Sequence, residues 1–235
     1  IIIDDGRNFV RYTKNKYDLI TLEPLQMFQK GVVYFYTEDF YREARERLHP
    51  DGVICQWLPI YAMTEHEMRS IIKTMVAVFP HTLLWGGQWS DLILIGFNHD
   101  GPRIEFNEQE IAERLINPAV KDDLFSVMLA NRFDPYSFVL MDGRTLADFG
   151  KSGQIYSDDH PALEFTAPRG REATKANAAL LLPHLTPPER MFDLPHRDVA
   201  TYLADIRRLT FQRLITPDRR RDLTDQMRSR YLEFY

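Results

Sequence analysis

The first 97 residues alternate short apolar runs with amphipathic stretches, and this alternation constrains the fold more than any other feature of the sequence. β-Branched runs bounded by Gly, Pro or Asp predict strands, and apolar residues spaced three or four apart predict helices. The predicted strands are 1–4, 17–22, 53–58, 81–85 and 91–97. The predicted helices are 8–16, one capped by Thr37 that ends at 49–52, and one opened by the Thr64/Glu67 capping box. Alternating strands and helices predict an α/β fold with a mainly parallel sheet, entered part-way through.

The character of the sequence changes after the fifth predicted strand. Gly86 and Gly87 suit a tight turn, so the last two strands are expected to form an antiparallel hairpin at the sheet edge. Beyond residue 98 the pattern predicts helices at 107–116, 121–131 and 135–149, and a strand near 162–165. From Pro187 onward ten Arg face eight acids, which is typical of a solvated helical tail. The expected domains are the sheet domain 1–97, a helical extension 98–169 and an Arg-rich helical tail 170–235.

Composition excludes several classes of function. The chain has 29 Lys and Arg against 34 Asp and Glu, a formal charge of -5, so it lacks the basic field that nucleic-acid binding needs. No run of eighteen apolar residues occurs, so no direct membrane contact by these residues is expected. The G-x-S-x-G, Walker A and H-E-x-x-H motifs of hydrolases, nucleotide triphosphatases and zinc proteases are also absent from the sequence.

The cysteine and histidine content argues against metal or thiol chemistry. The single Cys55 cannot form an internal disulfide, and its predicted buried strand disfavours the reactive thiolate. His49, His66 and His81 lack metal-ligand spacing to one another. We therefore expect no metal cofactor and a reducing, cytoplasmic location.

Ligands of open α/β sheets bind at the carboxyl ends of the strands, so the residues that follow each predicted strand are the candidates for a site. Asp5 and Gly6 follow the first strand, where glycine allows close approach to a flat ring and the carboxylate can accept hydrogen bonds from an adenine amino group. The alternative is that this pair is only a turn and a helix cap.

The second and third strands end in an acid and in aromatic residues. Glu23 directly follows an apolar strand, where partial burial would raise its pKa and let it accept a proton or face a cationic amine. The alternative is an ordinary strand-end carboxylate. Trp57 and Tyr61 are expected either to floor an apolar pocket or to be core residues.

Four motifs in series resemble the second half of a spermidine synthase domain. They are D-G-x-x-F at 5–9, Y-D-x-I at 17–20, Y-T-x-x-F-Y at 36–41 and L-x-P-x-G-V at 48–53. The segment 156–165, Y-S-D-D-H-P-A-L-E-F, is similar to a phrase of the bacterial branch in which this domain follows a membrane region. The resemblance therefore extends to about residue 169 and covers no part of the tail.

The resemblance implies a methyltransferase-like Rossmann fold that transfers an aminopropyl group from decarboxylated S-adenosylmethionine to a putrescine-like amine. In such enzymes the D-G pair holds the adenine, which would be the role of Asp5 and Gly6. The catalytic acid that orients and deprotonates the amine would be Glu23. Further substrate contacts are expected from the residues near these positions and from the 156–165 segment: Gln26, Gln56, Trp57, Tyr61, Asp158 and Asp159.

The sequence departs from the family at two places. Where spermidine synthases read D-S-S-D-P, this chain reads Glu23-Pro24-Leu25-Gln26, so the second carboxylate is replaced by a neutral amide. The glycine-rich cofactor loop is also missing, and since the chain opens on Ile1 inside a predicted strand, we expect it to be the back part of a longer protein.

These departures leave other readings open. One is S-adenosylmethionine-dependent methyl transfer on the same fold. Another is a non-catalytic sensor or interaction domain of a membrane protein. Anchoring of the full-length protein in a membrane and assembly into a homo-oligomer are also open.

Overall fold

The computed structural model describes residues 2–24, 29–61, 63–86, 91–100, 108–126, 132–166, 174–194 and 196–233. These residues form an α/β structure around one sheet of five strands in the order β1-β2-β4-β3-β5. The strands are β1 Tyr17–Leu22, β2 Leu48–Pro59, β3 Thr82–Gly86, β4 Asp91–Phe97 and β5 Val139–Met141.

Helices precede, connect and follow the strands. Three flank the first part of the sheet: α1 Gly6–Tyr12, α2 Glu38–Glu46 and α3 Glu65–Val78. Six shorter helices follow it: α4 Glu108–Leu115, α5 Pro118–Ser126, α6 Gly143–Gly150, α7 Leu163–Thr166, α8 Thr174–Leu181 and α9 Pro188–Met191. The tail forms α10 Arg197–Ile215 and α11 Arg220–Glu233. Within the described ranges, no helix is both long enough and apolar enough to cross a membrane.

The predicted α/β class and the predicted antiparallel β3–β4 hairpin are confirmed. The prediction of a mainly parallel sheet is wrong for the part of the chain that the structure describes. Only β1 and β2 pair in parallel, whereas β2–β4, β3–β4 and β3–β5 are antiparallel. The reason is the hairpin itself, because its second strand turns back to lie between β2 and β3. The hairpin is also not at the edge, since β5 adds beside β3. Gly87 of the expected turn lies outside the described residues.

Three local predictions are wrong. Residues 2–4 form no strand, and Ile2 and Ile3 are 69% and 98% exposed, because a run of apolar residues needs a neighbouring strand and none lies beside it in the described chain. The expected helix over 135–149 is a 3₁₀ turn, β5 and α6 in succession. The expected strand near 162–165 is α7, because Pro161 opens a helical turn in which the amide of Glu164 bonds its carbonyl.

Local sequence rules account for the helices that flank the sheet. The side chain of Thr37 accepts a hydrogen bond from the Phe40 amide at the start of α2. Thr64 and Glu67 form the reciprocal capping box of α3, with the Thr64 amide donating to Glu67 at 2.6 Å. Both helices then bury their apolar faces against one side of the sheet. The buried residues on these faces are Phe40, Tyr41, Ala44, Met68, Ile71, Ile72 and Met75.

Most of α10 and part of α11 pack on the face of β3 opposite the first apolar cluster. A second apolar cluster joins Leu83 of β3 to Val139 of β5 and to Tyr202, Leu203 and Ile206 of α10.

The division of the chain into domains with boundaries at residues 97 and 169 stays a prediction.

A strap of four residues, 153–156, runs along α3 and carries the chain towards Asp158. The amide of Gln154 donates to Ser70 Oγ at 2.9 Å, and the amide of Tyr156 donates to Thr74 Oγ1 at 3.0 Å. Gly153 starts the strap in direct contact with the α3 backbone. A Cβ at this position would lie 2.6 Å from the carbonyl carbon of Arg69.

We expect Gly153→Ala to lower the free energy of unfolding by about 1–3 kcal/mol, because the added methyl group meets backbone that cannot move cheaply. Urea denaturation measures the change. Gly6→Ala is the matched control, since its Cβ would meet only the Phe35 ring, at 3.9 Å. Equal stability of the two variants would contradict the close packing of the strap.

Candidate active site

The parallel pairing of β1 and β2 brings the residues after both strands to one edge of the sheet. Leu22 pairs with Gln56, so Glu23 leaves β1 beside Trp57. Strand β4 is antiparallel to β2 and pairs Asp91 with Pro59, so the start of β4 lies at the same edge. Tyr61 follows β2 there. We call four residues at this edge the edge cluster: Glu23, Trp57, Tyr61 and Asp91.

Trp57 contacts two other members of the edge cluster, Asp91 and Tyr61. Its indole Nε1 donates a hydrogen bond to Asp91 Oδ1 at 2.9 Å. Its ring lies edge-on to the Tyr61 ring, with the centroids 6.3 Å apart. Its backbone carbonyl accepts hydrogen bonds from the hydroxyl of Tyr36 at 3.2 Å and from Nε2 of Gln56 at 3.5 Å. Both the main chain and the side chain of Trp57 are thus fixed by contacts.

Electrostatics connects Glu23 with the other members. Burial raises the pKa of the Tyr61 phenol above its ordinary value, and the carboxylates of Asp91 and Glu23 raise it further. Two negative charges near a hydroxyl disfavour the phenolate and favour the protonated form. The edge cluster is therefore acidic with an aromatic floor, which is a suitable environment for an ammonium group.

The expected partial burial of Glu23 is wrong, since Glu23 is exposed. β1 is the edge strand of the described sheet, so nothing among the described residues covers the outer side of Glu23. Its role as the catalytic acid stays a prediction. Gln26 lies outside the described residues.

Gln56 lies on the other face of β2 from Trp57, because successive side chains of a strand alternate. It is fully buried towards the core that holds Tyr36. In this position it supports the Trp57 carbonyl, and its expected substrate contact stays a prediction.

Asp5 and Gly6 form the N-terminal cap of α1. Asp5 Oδ1 accepts a hydrogen bond from the Asn8 amide at 2.8 Å, so the expected helix cap is present. The expected binding of adenine by Asp5 and Gly6 stays a prediction. Both residues are exposed, and among the described residues that are not chain neighbours of Gly6 only the Phe35 ring would lie within 4 Å of a Cβ at Gly6. Phe35 belongs to the 3₁₀ helix Val32–Tyr36, whose last residue bonds Trp57, so this helix connects the turn with the edge cluster.

Asp158 binds three parts of the protein together. Its carboxylate pairs with Arg7 of α1 and accepts a hydrogen bond from Thr37 Oγ1 at 2.8 Å. Its amide donates to Asp39 Oδ2 at 2.8 Å. The Arg7 side chain is 12% exposed and also faces Glu43. These contacts describe a residue that positions α1 and α2, and Asp159 beside it is exposed.

The thiol and metal predictions have different outcomes. Burial raises the pKa of the Cys55 thiol, in the direction expected for an unreactive cysteine. No group of three or more His, Cys, Asp or Glu among the described residues is arranged to hold a metal ion. The expected absence of a metal cofactor stays a prediction.

Comparison with known proteins assigns the first part of the chain. Residues 1–85 match the model of the spermine/spermidine synthase domain. This part of the chain is therefore similar to that domain. All of the edge cluster except Asp91 lies within the matched residues.

Curated relatives of the synthase domain carry the name polyamine aminopropyltransferase. The protein of Saccharolobus solfataricus is 26% identical over 132 residues, which cover 53% of this chain and 42% of that protein. The protein of Nitrosomonas europaea is 30% identical over 95 residues, covering 37% of this chain and 29% of that protein. The chain thus spans about two fifths or less of the length of these relatives.

Among solved structures, a probable spermidine synthase from Corynebacterium glutamicum matches with a TM-score of 0.44 and 18% identity. The match covers 67% of this chain and 53% of that one.

Sequence reasoning missed Asp91 and Arg7. The signal that could have found Asp91 is its place as the first residue of β4. Because β4 runs antiparallel to β2, this first residue lies at the carboxyl end of β2. Arg7 had no signal in the spacing, since its partner Asp158 is 151 residues away in sequence.

We expect the phenol of Tyr61 to titrate at higher pH than an ordinary tyrosine, and Asp91→Asn or Glu23→Gln to lower its pKa, because each removes a charge that disfavours the phenolate. The larger decrease should follow Asp91→Asn. NMR of ¹³C-labelled tyrosine, with Tyr61→Phe to assign the signal, measures the titration. A Tyr61 titration that neither variant shifts would show that the carboxylates do not face this ring.

Proposed function

We propose that this protein is an aminopropyltransferase of polyamine biosynthesis. It transfers the aminopropyl group of decarboxylated S-adenosylmethionine to a small, putrescine-like amine. The observation that carries the proposal is the placement of Glu23 at the carboxyl end of β1, beside Trp57 and Tyr61. The family match of residues 1–85 and the names of the relatives support it.

The Asp5–Gly6 turn fits the adenine of the donor. Asp5 Oδ1 is used by the helix cap, and Oδ2 accepts no hydrogen bond from the described residues. An exposed carboxylate oxygen beside an open glycine can accept the exocyclic amino group while the ring lies over the backbone. Arg7 follows directly and is fixed by Asp158, so the turn is held in place by an ion pair between distant segments.

The edge cluster supplies what the amine needs. An ammonium group has no free electron pair, so the acceptor nitrogen must lose a proton before it can attack. Glu23 binds the cation and takes up or relays this proton, while Trp57 and Tyr61 hold the carbon chain against apolar surface.

Decarboxylated S-adenosylmethionine supplies an aminopropyl group on a positively charged sulfonium sulfur, which makes the adjoining carbon electrophilic. The nitrogen forms its bond to that carbon, the carbon–sulfur bond breaks and methylthioadenosine leaves. The proton lost by the nitrogen passes to Glu23 or through it to solvent.

Three further expectations stay predictions: a cytoplasmic location, assembly into a homo-oligomer and attachment to a membrane region.

We expect Glu23→Gln to lower kcat for aminopropyl transfer by about 100-fold or more, because the amide can neither accept the proton nor balance the ammonium charge. The assay mixes the full-length protein with putrescine and decarboxylated S-adenosylmethionine and quantifies methylthioadenosine.

The matched control is Glu46→Gln, an exposed acid at the end of α2, where β2 begins rather than ends. It should leave kcat unchanged. A parallel reaction with S-adenosylmethionine quantifies S-adenosylhomocysteine. Formation of this product alone would replace the proposal with methyl transfer, and the absence of both products would support the interaction-domain reading.

A further inference from the structure

Asp91 is an acid at the edge of the candidate site that the family resemblance does not account for. The resemblance leads one to expect a second carboxylate three residues after Glu23, and Gln26 stands there instead. Asp91 comes from a different part of the chain, the start of β4, and the antiparallel register places it opposite Pro59 at the end of β2. Asp91 therefore supplies this edge of the sheet with a negative charge that the neutral Gln26 does not provide.

The two acids flank Trp57. Glu23 follows β1 on one side of β2, and Asp91 opens β4 on the other side. Neighbouring strands lie about 4.8 Å apart, so the two backbones are separated by roughly 10 Å across β2. The Trp57 ring lies on the strand between them, and both carboxylates act on the Tyr61 phenol nearby. This arrangement offers an anionic group at each end of an apolar floor.

The hydrogen bond from Trp57 fixes the Asp91 side chain. Nε1 donates to Oδ1, and Oδ2 accepts no hydrogen bond from any described residue. Asp91 is half-buried, so its charge is less screened than that of a fully exposed acid. One oxygen is thus held in place while the other remains open to a cation.

We propose that Asp91 binds the ammonium group of the amine remote from the reacting nitrogen, and that it selects diamines over monoamines. Trp57 is the positioning residue that orients it. The inference rests on the proposed function, in which Glu23 faces the reacting nitrogen. It assigns the specificity for a dication to an acid on β4 rather than to the loop after β1.

The test compares 1,4-diaminobutane with 1-aminobutane on the full-length protein, by calorimetric binding and by steady-state kinetics. In Asp91→Asn the amide oxygen can still accept the Trp57 hydrogen bond, so the variant removes charge and keeps geometry. We expect Kd and KM for the diamine to rise roughly tenfold, as loss of a charge-assisted hydrogen bond predicts, with the monoamine constants unchanged. Trp57→Phe should reduce the diamine preference by a smaller factor.

Asp18→Asn is the matched control. Asp18 is an exposed acid near the opposite end of β1, and its substitution makes the same change in net charge as Asp91→Asn. It should leave the diamine preference intact. Equal weakening of both amines by Asp91→Asn, or no weakening of either, would overturn the role of Asp91. A wild-type protein that binds no amine and forms no methylthioadenosine would instead refute the proposed function, and the inference with it.

Discussion

The parallel pairing of β1 with β2 is the constraint on which the candidate site depends. Parallel strands end at the same edge, so the residues that follow Leu22 and Pro59 meet there although 37 positions separate these strand ends in sequence. The antiparallel hairpin then adds the first residue of β4 to that edge. Three chain segments thus contribute side chains to one small region, in which Trp57 bonds Asp91 through its indole and contacts the Tyr61 ring.

A second set of interactions holds the elements around the site. Asp158 pairs with Arg7 and bonds Thr37, and so ties the segment after α6 to the starts of α1 and α2. Both members of this pair are partly shielded from water, and each also faces a second charge, Glu43 for Arg7 and Arg11 for Asp158. These contacts give Asp158 a part in positioning α1 and α2, and its expected substrate contact stays a prediction. They also link the far part of the chain to the Asp5–Gly6 turn.

Local signals predicted the elements well where the sequence itself carries the cause. The bounds of β1 and β4 match the predicted runs 17–22 and 91–97, and the capping box at Thr64 forms as expected. Predictions failed where the cause is distant. β5 has three residues and exists because β3 offers it an edge, and the exposure of Glu23 follows from the edge position of β1. The role of Asp91 depends on strand register, which no local pattern encodes.

The central claim is that the carboxyl end of β1 and β2 binds the amine while the Asp5–Gly6 turn binds the adenine. A crystal structure of the full-length protein with methylthioadenosine and 1,4-diaminobutane tests it most directly. The account predicts adenine within hydrogen-bond distance of Asp5, and the two nitrogens of the diamine facing Glu23 and Asp91 across the Trp57 ring. Density for the diamine away from this edge, or for the nucleoside away from the turn, would contradict it.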